Sequence, residues 1–533
     1  MKARQRPTSA KQRNPAGGRK GRTGKAGTGS TATAQGSDET RGQNQGSRST
    51  RGEGVRAGRS GDPTRLITER RILQDCLATR QALATEVGRV RRRALISNPT
   101  GQDTLGLYRA ATSRKAVIAD LELLSQFQKA KIPTPAFLEA GPRSQLAFDP
   151  RTVRAAVVTT GGLAPGLHCV IHSIVNRHCA TYGIGAAKGR VFGVYDSFQG
   201  LSALADNMIE LNPDMTENWL DQGGSNLGIV RYFPGGKGSK AIGEMADSIS
   251  ENLRQNNIHI LYVIGGDGSL KTAHAIAERN PTRSIIGIPK TMDNDILWVW
   301  QSFGFDTAVE QATRVINTLT SEAEATRRIC VIELFGADSG FVAANASLAS
   351  GHVDLVLIPE LFKPLSSQQA EEYLESVVEH LERAVEDERH NPHAIVVVAE
   401  GVAQVLEKLQ VKLGRLEVSR ETFIAQFCQR IERSVLDAHG KPVPVFVNQP
   451  RHHVRAVAAN AHDQIYCERL GALAVDNALA GYTDCMVSQW LTEFVLVPLE
   501  LVTAGQKSVP VKGMFWKQVL SSTGQPLSPA EVV

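Results

Sequence analysis

Ile285-Ile286-Gly287-Ile288-Pro289-Lys290-Thr291-Met292-Asp293-Asn294-Asp295 decides how this chain is read. The apolar run before the proline reads as a strand, and the polar residues after it as a loop leaving that strand. Two carboxylates two residues apart, with a threonine just before them, suit phosphoryl transfer. One can accept a hydroxyl proton while the other helps to hold a metal ion. Standing alone, an acidic loop of this kind is commonly no more than a solvated turn.

Its neighbours sharpen the reading. Leu261-Tyr262-Val263-Ile264 is a second apolar run, and it opens onto Gly265-Gly266-Asp267-Gly268-Ser269 and an alanine-rich helical pattern. Glycines let backbone N–H groups approach phosphates, and a helix N-terminus adds favourable partial charge. A third run, Ala155 to Thr160, leads into Gly161-Gly162-Leu163-Ala164-Pro165-Gly166. Two glycine loops and one acidic loop thus follow three strands, where open α/β sheets bind ligands.

In this order the motifs resemble the phosphofructokinase family. Further matching pieces are Gly223-Gly224-Ser225-Asn226-Leu227-Gly228 with Arg231, Phe303-Gly304-Phe305, Asp338-Ser339-Gly340-Phe341, Pro359-Glu360, Ala399-Glu400-Gly401 and Trp516 to Pro526. Lipid and NAD kinases share the Gly-Gly-Asp-Gly loop, but the segment Pro289 to Asp295 separates this chain from them. Its lysine, the Gly-Gly-Leu start of the first loop and the long N-terminal extension look most like the long-chain group with plant and trypanosomatid enzymes.

The resemblance implies an α/β fold of two similar doubly wound, Rossmann-like domains with the active site in the cleft between them. It implies ATP-dependent phosphorylation of fructose 6-phosphate to fructose 1,6-bisphosphate, a step of glycolysis, in a homotetramer or homodimer. Asp293 would be the general base, assisted by Thr291 and Arg231, and Asp267 and Asp295 would hold Mg²⁺. Gly161, Gly162, Gly265, Gly266, Gly268, Ser269 and Arg231 would hold the nucleotide. Thr291, Asp293, Arg328, Gly336, Glu400, His452 and Arg455 would bind the sugar phosphate, Arg328 matching an arginine that reaches into a neighbouring subunit's site. Gly268 favours ATP, because diphosphate-using relatives tend to carry an aspartate there. Lys290 points the other way, although the long ATP-using group pairs this glycine with this lysine.

Three positions depart from the pattern. The family's Met-Gly-Arg reads Phe335-Gly336-Ala337, the asparagine ending the first glycine loop is His168, and a tyrosine is replaced by His452, followed by His453. Losing the arginine removes a charge-assisted contact typically worth about 1.5–3 kcal/mol. Two alternatives therefore stay open: a phosphotransferase on this scaffold with another acceptor or with diphosphate as donor, and a non-catalytic nucleotide-binding regulatory protein.

The chain has 533 residues and a net charge of +6. Residues 1–60 hold 14 Lys/Arg against 3 Asp/Glu, so the remainder carries about −5. Those residues include no Ile, Leu, Phe, Trp or Tyr, and composition of this kind predicts a disordered basic tail over 1–63. Contact of this tail with nucleic acid or another polyanion is the less favoured reading. Apolar spacing through Leu66, Ile72, Leu77, Val117, Leu121 and Leu124 predicts a helical extension over 64–145, ended by Pro133 and Pro135. Alternating strand and helix patterns then divide into a nucleotide-binding domain at 146–325, a sugar-phosphate domain at 326–480 and a C-terminal extension at 481–533. The seven cysteines form no metal-type spacing and read as reduced, buried thiols. Without a signal core or a run long enough to span a bilayer, a cytoplasmic location is expected.

Overall fold

The computed structural model describes residues 68–91, 95–100, 108–185, 188–230, 238–387 and 391–532. The tail expected over 1–63 and the site residue Arg231 lie outside them.

Thirteen strands of the two main sheets and eleven helices position the site. The strands are β1 (Arg114–Ala116), β2 (Ala136–Glu139), β3 (Arg154–Thr159), β4 (Arg190–Val194), β5 (Met208–Glu210), β6 (Ile260–Gly265), β7 (Ser284–Pro289), β8 (Ile329–Leu334), β9 (Leu355–Leu357), β10 (Ala394–Ala399), β11 (Val445–Asn448), β12 (Cys485–Trp490) and β13 (Glu493–Pro498). The helices are α1 (Glu69–Thr79), α2 (Leu121–Ala130), α3 (Leu167–Asn176), α4 (Ser239–Gln255), α5 (Asp267–Arg279), α6 (Phe305–Thr326), α7 (Phe341–Ser350), α8 (Ser367–Asp387), α9 (Phe423–Ser434), α10 (Ala461–Leu479) and α11 (Met514–Thr523).

The larger sheet has nine strands in the order β1-β2-β13-β12-β7-β6-β3-β4-β5. Its middle, from β12 to β4, is parallel. Every residue of β6 and β7 is buried, as parallel strands covered on both faces must be. Successive side chains of β3 take opposite faces. Ala155 and Val157 join a core with α3 and α10, while Ala156 and Val158 join another with α1, α2, α4 and α5. Each large aliphatic side chain so buried is worth about 1.5–3 kcal/mol. The smaller sheet, β9-β10-β8-β11, is wholly parallel and sits in a third core with α7, α8, α9 and α11.

In the larger sheet β4 lies on one side of β3 and β6 on the other, so the chain reverses direction across the sheet between β3 and β6. The two glycine loops leave these adjacent strands, at the switch point where doubly wound sheets take ligands.

Two expectations change. The 64–145 segment is not helical throughout: β1 and β2 pair within it, and β2 extends the larger sheet through β13. The apolar Val117 and Ile118 are buried, but they precede a new helix. The Asp120 carboxylate accepts from the backbone N–H groups of Glu122 and Leu123 and starts α2 there. The sheets also do not divide at residue 480. α10 packs on α3, and β12 and β13 complete the larger sheet, before α11 crosses back to the smaller sheet's core.

Candidate active site

Gly161 lies at φ 85°, in the left-handed region, and a Cβ there would stand 3.1 Å from the Lys290 ammonium. Lys290 is buried and donates to the carbonyl oxygen of Gly162, placing a cation under the first glycine loop. At Gly265 a Cβ would come within 2.3 Å of Thr160 Oγ1 and 2.4 Å of Ser269 Cβ, so only glycine lets the β3 and β6 loops lie this close. Gly266 precedes α5, whose first turn holds Asp267, Gly268 and the buried Ser269. Lys271 pairs with Asp267 at 2.6 Å through Oδ2, while Oδ1 is buried without a partner.

The acidic loop after β7 folds on itself. Thr291 Oγ1 accepts from the Asp293 backbone N–H at 3.1 Å and also supports the Asp295 carboxylate. Asn294, between the two carboxylates, has φ 54°. Asp293 Oδ1 is buried and unpartnered. Loss of water, then Asp295, Glu400 and Asp338, push the Asp293 carboxyl well above the usual carboxylate range, against an opposing hydrogen bond from the Ala337 backbone. Desolvation also raises Asp295 and Asp267, and Asp338 adds repulsion to both.

The smaller sheet brings its own carboxyl ends to this place. Gly336 follows β8 with φ 140°. Ser339 Oγ donates to the Asp293 carbonyl at 2.6 Å, and Lys363 donates to the Asp338 carbonyl at 2.6 Å. Phe335 packs against Ala164, Met292, Ala308 and Val454. The Arg455 guanidinium lies 4.8 Å from the Phe335 ring centroid, with its Nε buried and unpartnered. The structure thus brings Gly161, Gly162, Gly265, Gly266, Gly268, Ser269, Asp267, Thr291, Asp293, Asp295, Gly336, Glu400 and Arg455 to the facing carboxyl ends of two sheets. His452 and His453 stand exposed on the short helix Arg451–Arg455 beside them.

Arg328 is different. It is exposed and precedes β8, at the end of that strand opposite the cleft. Six residues of strand separate the two ends by roughly 20 Å, so Arg328 does not join this chain's own cleft. His168 also has a definite place. Its Nδ1 contacts the Gln222 carbonyl at 3.0 Å and its Nε2 accepts from the Asn226 N–H at 2.9 Å. Burial lowers its pKa, so the neutral ring pins the 222–226 loop.

Sequence reasoning missed the roles of Asp338, Ser339, Asn294 and Lys507. Asp338 follows a strand's carboxyl end, a signal that was available. Lys507 carries no signal in the sequence.

Hard oxygen donors with orphaned lone pairs fit a small divalent cation. Among the described residues no three His, Cys, Asp or Glu side chains form a ready cage. Mg²⁺ keeps several waters and shares substrate phosphates with one or two carboxylates, so it requires none.

Residues 154–478 match the family model described as phosphofructokinase. The ATP-dependent 6-phosphofructokinase of Borreliella burgdorferi is 36% identical over 403 residues, 73% of this chain and 85% of its own. ATP-dependent 6-phosphofructokinase 5, chloroplastic, of Arabidopsis thaliana is 37% identical over 396 residues, 73% of this chain and 68% of its own. Among solved structures, Pichia pastoris phosphofructokinase in the T-state superposes with a TM-score of 0.53 at 20% identity, over 70% of this chain. This chain spans 37% of that longer one.

Proposed function

The chain belongs to the phosphofructokinase family of phosphotransferases, and from that premise we propose that it transfers the terminal phosphoryl group of ATP to the C1 hydroxyl of fructose 6-phosphate. The observation that carries this is Asp293, whose buried, unpartnered Oδ1 stands among other carboxylates where the two sheets' carboxyl ends meet. A carboxylate so placed has the proton affinity that a general base working near neutral pH needs. Asp293 takes the hydroxyl proton as the oxygen attacks. Thr291 orders the loop through the Asp293 N–H. The backbone of the two glycine loops and the N-terminus of α5 hold the nucleotide phosphates, with Arg231 as their guanidinium partner. Asp267 and Asp295 are the residues that would hold Mg²⁺, which when bound offsets charge on the phosphate oxygens. Gly336, Glu400 and Arg455, with His452 at the rim, hold the sugar phosphate.

Gly268 supports ATP as donor, since an aspartate there would repel the α-phosphate. The test is a coupled assay with fructose 6-phosphate and either Mg²⁺-ATP or Mg²⁺-diphosphate, with Asp293→Ala as control. Turnover with ATP that falls by about 10²–10⁴-fold in the variant is expected. A wild-type protein that binds ATP and makes no fructose 1,6-bisphosphate would end this reading.

A second reading, another acceptor, draws on Ala337 and on Arg455. The site lacks the arginine that Ala337 replaces, and Arg455 stacks on Phe335, which stands where the family pattern has methionine. A panel of sugar phosphates, sugars and nucleosides separates the two readings: fructose 6-phosphate as much the best acceptor removes the second.

A further inference from the structure

Asn294 and Trp298, at φ 54° and 61°, occupy the left-handed region within one loop, directly after Asp293. Backbone of this kind persists only where its surroundings over-determine it, and here those surroundings come from distant parts of the chain. Lys507 donates from its ammonium to Asn294 Oδ1 at 2.8 Å, to the Val299 carbonyl at 2.7 Å and to the Trp300 carbonyl at 3.0 Å. Its backbone N–H donates to the Asp295 carbonyl at 2.8 Å. Three acceptors match the three protons of an ammonium group. The Lys507 Nζ also lies 5.5 Å from the Phe341 ring centroid at the start of α7. Glu69 at the start of α1 accepts from the Trp298 N–H at 3.1 Å, and Ser488 Oγ donates to the Trp298 carbonyl at 2.6 Å.

Lys507 belongs to the strap that runs from the larger sheet to α11. Two residues on, the Val509 N–H donates to Glu360 Oε1 at 2.9 Å. The same carboxylate accepts from the Gly340 N–H at the start of α7, next to Ser339, which holds the Asp293 carbonyl. The strap therefore grips the acidic loop from one side and the facing loop of the smaller sheet from the other.

We infer that Lys507 is a positioning residue for phosphoryl transfer. By saturating Asn294 Oδ1 and the carbonyls of Val299 and Trp300, it fixes the left-handed turn at Asn294. It thereby fixes the directions in which Asp293 and Asp295 leave the loop. The inference rests on the roles proposed above for those two aspartates.

The test compares wild type, Lys507→Met, Asn294→Ala and the double variant in the coupled assay, with ATP binding and thermal unfolding measured in parallel. Misplacing a reacting group by about 1 Å costs roughly 10²-fold. Lys507→Met is expected to lower kcat roughly 10- to 100-fold, leave the affinity for ATP near wild type, and raise the Mg²⁺ concentration needed for half-maximal rate. The double variant should be no slower than the slower single variant, because both remove one clamp. A folded Lys507→Met enzyme with wild-type kcat and Mg²⁺ requirement overturns the inference, and so does additive loss in the double variant. If Lys507→Met fails to fold, Asn294→Ala, which keeps the lysine, carries the same expected and overturning results for kcat and Mg²⁺. An inactive wild type would count against the proposed reaction; an active wild type with an indifferent Lys507 would count against this inference alone.

Discussion

Asp293 owes its raised proton affinity first to loss of water and then to Asp295, Glu400 and Asp338. Its folded-state pKa stands above the unfolded value of 3.8. The stability gained by holding that proton is therefore complete below pH 3.8 and is lost as pH rises through the folded-state pKa. Asp293→Asn keeps the shape and removes the charge. It is expected to raise the thermal midpoint of the ligand-free protein at pH 8, with the gain shrinking by pH 5; no gain at pH 8 would contradict the electrostatic account. For the same reason the acid limb of kcat/KM should lie well above the ordinary aspartate range. His168 and Ala337, two of the positions read as departing from the family pattern, differ in kind. His168 is absorbed into loop structure through two backbone contacts, whereas Ala337 meets the Asp293 carboxylate through its backbone.

Elements reach the site through caps as much as through sheets. The long helix α6 follows Gly304, and its first turn is held by Asp463 of α10. The Asp463 carboxylate accepts from the Gly304 N–H at 2.8 Å, the Thr307 N–H at 2.9 Å and Thr307 Oγ1 at 2.6 Å. All three bonds are buried, so Asp463→Ala strands donors without water to replace the carboxylate. A loss of about 1–3 kcal/mol in denaturant unfolding is expected, and a change below about 0.5 kcal/mol would show that the cap is dispensable. Strands were legible at this scale, because β6 and β10 are apolar throughout, β3 and β7 are apolar except at polar ends, and β8 is apolar but for Glu333. The N-terminal segment was not, because three- and four-residue apolar spacing also arises where buried residues just past a strand, Val117 and Ile118, are followed by a separate helix.

The whole molecule brings like charges together at the meeting of its two sheets. Asp267, Asp293 and Asp295 all have pKa values raised by burial and by nearby carboxylates, Asp338 acting on all three. A ligand that binds only the folded chain stabilises it by about 2.7 kcal/mol at a hundredfold excess over its Kd. Mg²⁺ with ATP should therefore raise the thermal midpoint by more than either alone, and chelation should return it to the ligand-free value. An unchanged midpoint under conditions where ATP binding is measured would contradict this placement of the carboxylates. Among the described residues no helix is long and apolar enough to cross a membrane.

The sequence by itself determined the α/β class, the glycine loops, the acidic motif and the family, because each is a local pattern: an apolar run, then residues whose backbone freedom or charge has a chemical use. Tertiary structure decided which distant residues share one place. It returned α10, β12 and β13 to the larger sheet, set Arg328 at the far end of its strand, and brought Lys507 to Asn294 across more than two hundred residues of chain. No local pattern encodes such contacts, since they depend on how two sheets close on each other and on where the C-terminal strap must cross between them.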